Sequence, residues 1–166
     1  MKFLFSEENN SLCGSLIYRE SEYSLDFICA STEKLKKKSG SQGCMSLTVG
    51  TVQIEVGVET GSLLYPWGLL SLVSCERKKI ELPSFKEGTI NIHLEQGKLI
   101  SGVSFDIPGS NAWETILDSD GEWIYIGDAK ADFKRISFVE FAAGTVVGIS
   151  DDGGIFGFFI KPVFVI

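Results

Sequence analysis

Apolar and polar residues alternate along much of this chain with a period of two. Across residues 51–59, Val52, Ile54, Val56 and Val58 share one face while Gln53, Glu55 and Glu59 take the other, the pattern of a half-buried strand. Residues 88–94 repeat it, with Ile90, Ile92 and Leu94 opposite Asn91 and His93. Glu95-Gln96-Gly97-Lys98 then reads as a turn, Gly97 supplying a positive φ, and 99–105 as the returning partner strand. Residues 113–117 and 122–126 flank Asp118-Ser119-Asp120-Gly121, a hairpin signal because Asp-Gly tolerates left-handed backbone. A last hairpin joins 144–149 to 155–166 through Asp151-Asp152-Gly153-Gly154. Further strands are predicted at 2–5, 12–18, 23–29, 45–49, 78–82 and 135–141.

Helical signals are few. Residues 31–38 predict one short helix capped by Ser31 or Thr32, and 128–133 a second. Pro66 interrupts the apolar run 63–73, which argues against one continuous helix or central strand there. Eighteen glycines at short intervals favour antiparallel sheet over alternating strands and helices. The predicted fold is mainly β: an antiparallel sandwich or open barrel of about ten strands with one or two short helices. It forms a single domain over 1–166, and no internal repeat of constant period is visible. The mass of 18.2 kDa suits this, since surface scaling leaves roughly 18,000 Å² to bury, enough for a core without covalent staples.

The charge balance narrows the classes of partner. The chain carries 15 basic and 22 acidic side chains, a net charge of −7. Residues 1–83 hold 9 Lys/Arg against 10 Asp/Glu, and 84–166 hold 6 against 12, so the excess lies in the second half. Nucleic-acid binding gains affinity by releasing counterions to Lys and Arg, and this balance has the opposite sign. A basic protein partner suits it, because complementary potentials speed encounter. Lys34, Lys36, Lys37 and Lys38 form one basic run, read as a solvated loop. Arg77, Lys78 and Lys79 form another, read as an edge strand protected by lysine. The apolar start Met1 to Phe5 is too short for a signal-peptide core, and no apolar run reaches membrane-span length. A cytoplasmic protein is expected, with Cys13, Cys29, Cys44 and Cys75 reduced, mostly buried and too widely spaced for a zinc knuckle.

Candidate chemistry is sparse. His93 is the only histidine, with no nucleophile elbow to serve, and reads as an ordinary strand residue. Asp118, Asp120 and Glu122 around Gly121 look like half a calcium loop, but position 127 is glycine where the bidentate acid belongs, so a hairpin turn is preferred. Phosphate-cradling glycine motifs are missing. Trp67, Trp113 and Trp123 suggest a sugar-stacking platform, although two of the three are expected to fill the core. No cofactor, metal or enzymatic activity is predicted.

Three stretches carry a family resemblance: Tyr65-Pro66-Trp67-Gly68-Leu69-Leu70; Lys78-Lys79-Ile80-Glu81-Leu82-Pro83 with Lys86-Glu87-Gly88; and Gly121-Glu122-Trp123-Ile124-Tyr125-Ile126-Gly127-Asp128. In these the chain resembles immunity proteins of bacterial contact-dependent growth inhibition systems. The resemblance implies a cytosolic inhibitor that binds the toxin domain of a cognate effector, in one branch a nuclease that pushes a β-hairpin into the immunity protein's sheet. It marks no contact residues. The expected function is a stoichiometric inhibitor of a basic toxin domain, acting through an acidic surface and/or sheet-edge pairing. The candidate partner-binding residues are Asp118, Asp120, Glu122, Asp128 and Asp132. The alternative is a small-ligand or carbohydrate-binding β-domain.

Overall fold

The computed structural model describes residues 1–7 and 11–166. The chain runs β1 (Lys2–Ser6), β2 (Gly14–Arg19), β3 (Ser24–Cys29), α1 (Thr32–Ser39), β4 (Cys44–Val49), β5 (Val52–Gly57), β6 (Leu63–Leu69), β7 (Glu76–Lys78), β8 (Lys86–Glu87) and β9 (Thr89–His93). It continues through β10 (Ser104–Asp106), β11 (Glu114–Asp118), β12 (Ile124–Gly127), β13 (Ile136–Ala142), β14 (Thr145–Ser150), β15 (Ile155–Ile160) and β16 (Val163–Val165). Single 3-10 turns lie at Ser110–Ala112 and Phe133–Arg135. Two seven-stranded sheets form, a first in the order β10-β4-β5-β6-β3-β2-β16 and a second in the order β7-β11-β12-β15-β14-β13-β8. Their apolar faces enclose one core, and neither closes into a barrel. The fold is a β-sandwich.

The two sheets are built on one topology. Strands β2 to β6 and strands β11 to β15 each form an antiparallel set in which the fifth strand pairs between the second and the fourth. The link from second to third strand is helical in both, through α1 in one set and the turn at Phe133–Arg135 in the other. After the fifth strand the chain crosses over. β7 follows β6 and pairs in parallel with β11 of the other sheet, and β16 follows β15 and pairs in parallel with β2. β10 and β8 add parallel strands beside β4 and β13. All four outer strands, two or three residues long, are therefore parallel additions to antiparallel interiors. Each set is completed by the strand that its twin supplies.

Alternation accounts for the core. Leu16, Leu25, Met45, Leu47, Ile54 and Val56 from the first sheet meet Leu117, Ile124, Ile126, Val139, Val147 and Phe158 from the second. The separate ribbon β1–β9 touches both sheets and adds Phe3, Ile90 and Ile92 to the same core. A second cluster lies on the outer face of the second sheet, where Ile116, Tyr125, Phe159 and Val146 form a cross-strand row. Ile80 and Leu82, Trp123, and Phe133 with Ile136 cover it. Phe133 sits edge-on to Tyr125, Phe138 and Phe159, with ring centroids 5.4–5.7 Å apart. Such pairs contribute roughly 0.5–1.5 kcal/mol each beyond their buried area. Gly127 and Gly157 lie so close to the Tyr125 ring that a Cβ at either would stand within 3 Å of it.

Four predicted features are corrected. Residues 88–94 do not form a hairpin with 99–105: β9 pairs with β1, matching Phe3 to Ile92, and β10 pairs with β4. Alternation specifies a face, not a partner, and β1 offers β9 a second apolar face. The run 63–73 does contain a central strand, β6, with Pro66 inside it. Its pairing with β3 stops at Leu25↔Gly68, short of Pro66, so no bond to β3 is lost for want of an N–H. Of the second expected helix, 128–133, only Phe133 is helical, opening the 3-10 turn Phe133–Arg135 that Asp132 caps. The strands number sixteen among the described residues, because the short outer strands carry too few residues to show alternation.

Candidate functional site

Alternation places Ile17, Asp26, Ile28, Glu55, Trp67, Leu69, Val163 and Val165 on the outer face of the first sheet, opposite the core side chains of the same strands. Nothing in the described fold covers this face as Ile80, Leu82 and Phe133 cover the second sheet. Ile28, Leu69 and Val163 are 54%, 56% and 60% exposed, and Trp67 36%. On β15, the topological twin of β6, the outward-facing Phe159 is 1% exposed. Ser24, Asp26 and Arg19 stand between the apolar side chains on the way to β16, the outer strand of this sheet, whose far edge pairs with no described strand. Its charged groups are Asp26, Glu55 and Asp106 against Arg19, which bonds Asp26. The face is apolar and acidic together.

Glu55 organises its centre. The carboxylate accepts from Trp67 Nε1 at 2.9 Å and from Ser46 Oγ at 3.2 Å, which fixes the indole against the sheet. Tyr65 stacks on Phe27 at 5.5 Å, and burial followed by the Glu55 charge pushes its phenol up from the ordinary value. The same two causes push the Cys44 thiol up, the direction opposite to what a nucleophilic thiolate needs. This arrangement positions an aromatic surface. It does not activate a nucleophile.

The five predicted acidic residues do not form one patch. Asp118, Asp120 and Glu122 lie at the β11–β12 turn, whereas Asp128 and Asp132 follow the opposite end of β12. Asp118 is buried, its Oδ1 accepting from the Ile80 amide at 2.9 Å, so it fastens the covering segment and is withdrawn from contact. Burial of a short turn carboxylate beside an unpaired amide is a tertiary event that spacing does not encode. Glu122 pairs with Lys161 at 3.2 Å, and that ammonium also sits over the Trp123 ring. Asp128 and Asp132 accept the amides of Lys130 and Lys134 and shape the loop between β12 and β13. Asp120 is exposed at the turn.

His93 is exposed at the end of β9, opposite Lys2. All four cysteines are free, but Cys13 is exposed and the others are half-buried, so the expectation of mostly buried thiols is corrected. Cys29 and Cys44 stand at strand ends, and Cys13 and Cys75 just before β2 and β7, where neighbours cover only part of each side chain. Trp113 packs on Phe158 in the main core and Trp123 on the second cluster, leaving Trp67 as the most exposed tryptophan. Under the segment 78–83, Ile116, Tyr125, Phe133 and Phe159 line an apolar cleft of about 500 Å³. No protein-family model matches the chain, and no curated protein matches it in sequence. Ile28, Leu69 and Val163 escaped the sequence reading because an apolar residue in a strand is expected to face the core.

Proposed function

We propose that this protein is a stoichiometric protein-binding inhibitor of the immunity type, neutralising a basic toxin domain such as a nuclease, and that the toxin docks on the outer face of the first sheet. The observation that carries this is the contrast between twin sheets: the outer row of the second is sealed by the chain itself, and that of the first is left bare. Exposed apolar side chains rimmed by polar groups are the surface that a protein partner covers. Charge selects the partner, since Asp26, Glu55 and Asp106 outnumber Arg19 on the face and the whole chain is at −7. The free edge of β16 offers backbone groups to an added strand, in keeping with the sheet-extension mode of the resembled family. Asp120, Glu122, Asp128 and Asp132 then act at a distance, as part of the negative potential that draws the toxin in.

Where a secreted effector is encoded immediately upstream, co-expression with its C-terminal toxin domain tests this reading. Growth should be restored and a 1:1 complex recovered, and Ile28→Arg with Leu69→Arg should abolish both while the protein stays folded. Growth arrest by the toxin in the presence of wild-type protein overturns it. The apolar cleft under 78–83 supports a second reading, a small-ligand domain. A titrated apolar ligand would then change Trp123 emission, and a glycan stacking on the exposed ring would be lost in Trp67→Ala.

A further inference from the structure

The basic run that reads as a solvated loop is instead one wall of a cleft. α1 carries Lys34 in its first turn and Lys37 and Lys38 in its last, spaced i, i+3, i+4 and therefore on one helix face, while Leu35 packs on the core. Opposite stand Ser11, Ser62 and Thr89, enclosing about 380 Å³, a volume suited to a small ligand. Lys38 is the inner cation, its Nζ donating to Thr89 Oγ1 at 3.2 Å. Among the described residues none of the three lysines has an ion pair and no carboxylate lines the cleft. Three like charges on one helix face repel, and burial of Lys38 pushes its ammonium down from the ordinary value, so an anion seated here relieves both costs. Ser62 Oγ accepts from Asn91 Nδ2 at 3.0 Å, which leaves its own proton to donate.

We propose that this cleft binds the phosphate group of a small phosphomonoester, with Lys34, Lys37 and Lys38 supplying charge and Ser11 and Ser62 supplying hydroxyl donors. Lysine is a common phosphate ligand as a mobile point charge, and the hydroxyls add the directional bonds it lacks. The site is separate from the bare sheet face and does not depend on the inhibitor reading.

The test is titration of the purified protein with inorganic phosphate and with a hexose 6-phosphate at constant ionic strength, followed by calorimetry and amide NMR. Saturable binding is expected, with shifts on α1, 60–62 and 89, at least tenfold weaker in Lys34→Gln/Lys37→Gln, whose side chains are exposed and not needed for folding. Lys38→Met should remove binding altogether. Phosphate effects no larger than those of chloride, wild-type affinity in the double variant, or equal affinity for the unphosphorylated hexose would each overturn the proposal.

Discussion

At the scale of single residues, two buried polar groups hold parts of the chain together. Asp118 takes the Ile80 amide, so Asp118→Ala strands that N–H and should cost about 1–3 kcal/mol, read as a lower urea midpoint. Asp118→Asn keeps an acceptor oxygen and should cost less. Tyr125 donates to the Asp128 carbonyl at 2.9 Å, and burial raises its phenol above the ordinary value of 10.0. A tyrosine raised in the folded state contributes stability in full below the unfolded value, and loses it as pH climbs from there through the folded value. Stability should therefore fall above about pH 10, with Tyr18 and Tyr65, also raised, adding to the slope. Tyr125→Phe should make that alkaline limb shallower in unfolding curves taken from pH 8 to 11. An unchanged limb would mean that the phenol is solvated.

Among the elements, the segment after β7 matters most, because Ile80 and Leu82 seal the aromatic row of the second sheet. Leu82→Asp places a charge on that row and is expected to cost about 2–3 kcal/mol. Increased binding of a hydrophobic dye and cleavage near residue 82 in limited proteolysis would report the opening. α1 depends more on its cap than on its own composition, since Ser31 Oγ accepts the Lys34 amide and four lysines follow. Ser31→Ala should cost about 1 kcal/mol and loosen the wall that presents Lys34 and Lys37. Sequence made α1 and its cap legible, because capping is local. It also marked the turn at Asp118 to Gly121, where Gly121 has φ 74°. The segment 78–82, predicted as a strand, keeps only its first residue in β7, and its covering role depends on a sheet assembled from residues far along the chain.

For the whole molecule, the exchange of β7 and β16 between twin sheets has a thermodynamic consequence. Neither set of five strands is complete without its partner, so the chain should unfold in one transition with equal calorimetric and van't Hoff enthalpies. An enthalpy of roughly 115 kcal/mol near 60 °C follows from the usual per-residue value. Residues 1–70 and 107–166 expressed separately should each be unfolded by circular dichroism, and a second calorimetric peak would show that the halves are independent. The repeat left a trace in sequence: Gly50-Thr51-Val52 and Gly144-Thr145-Val146 stand at the matching turns, with φ of 59° and 71° at the glycines. A three-residue echo between sets of different loop length carries no constant period, so the shared topology is established by strand order.

The order of residues determined, by itself, what short-range physics governs: period-two faces at β5, β9 and β12, the helix cap at Ser31, and the glycine turns at Gly121 and Gly153. Each depends on neighbours within a few positions, where sterics and one or two hydrogen bonds decide. Pairing across the chain was a tertiary decision, because β1 with β9, β10 with β4 and β16 with β2 compete on total burial and not on any local preference. The same holds for both candidate sites. Whether Leu69 is bare, Asp118 buried or Lys38 enclosed depends on what distant segments place beside it, and only the folded chain fixes that.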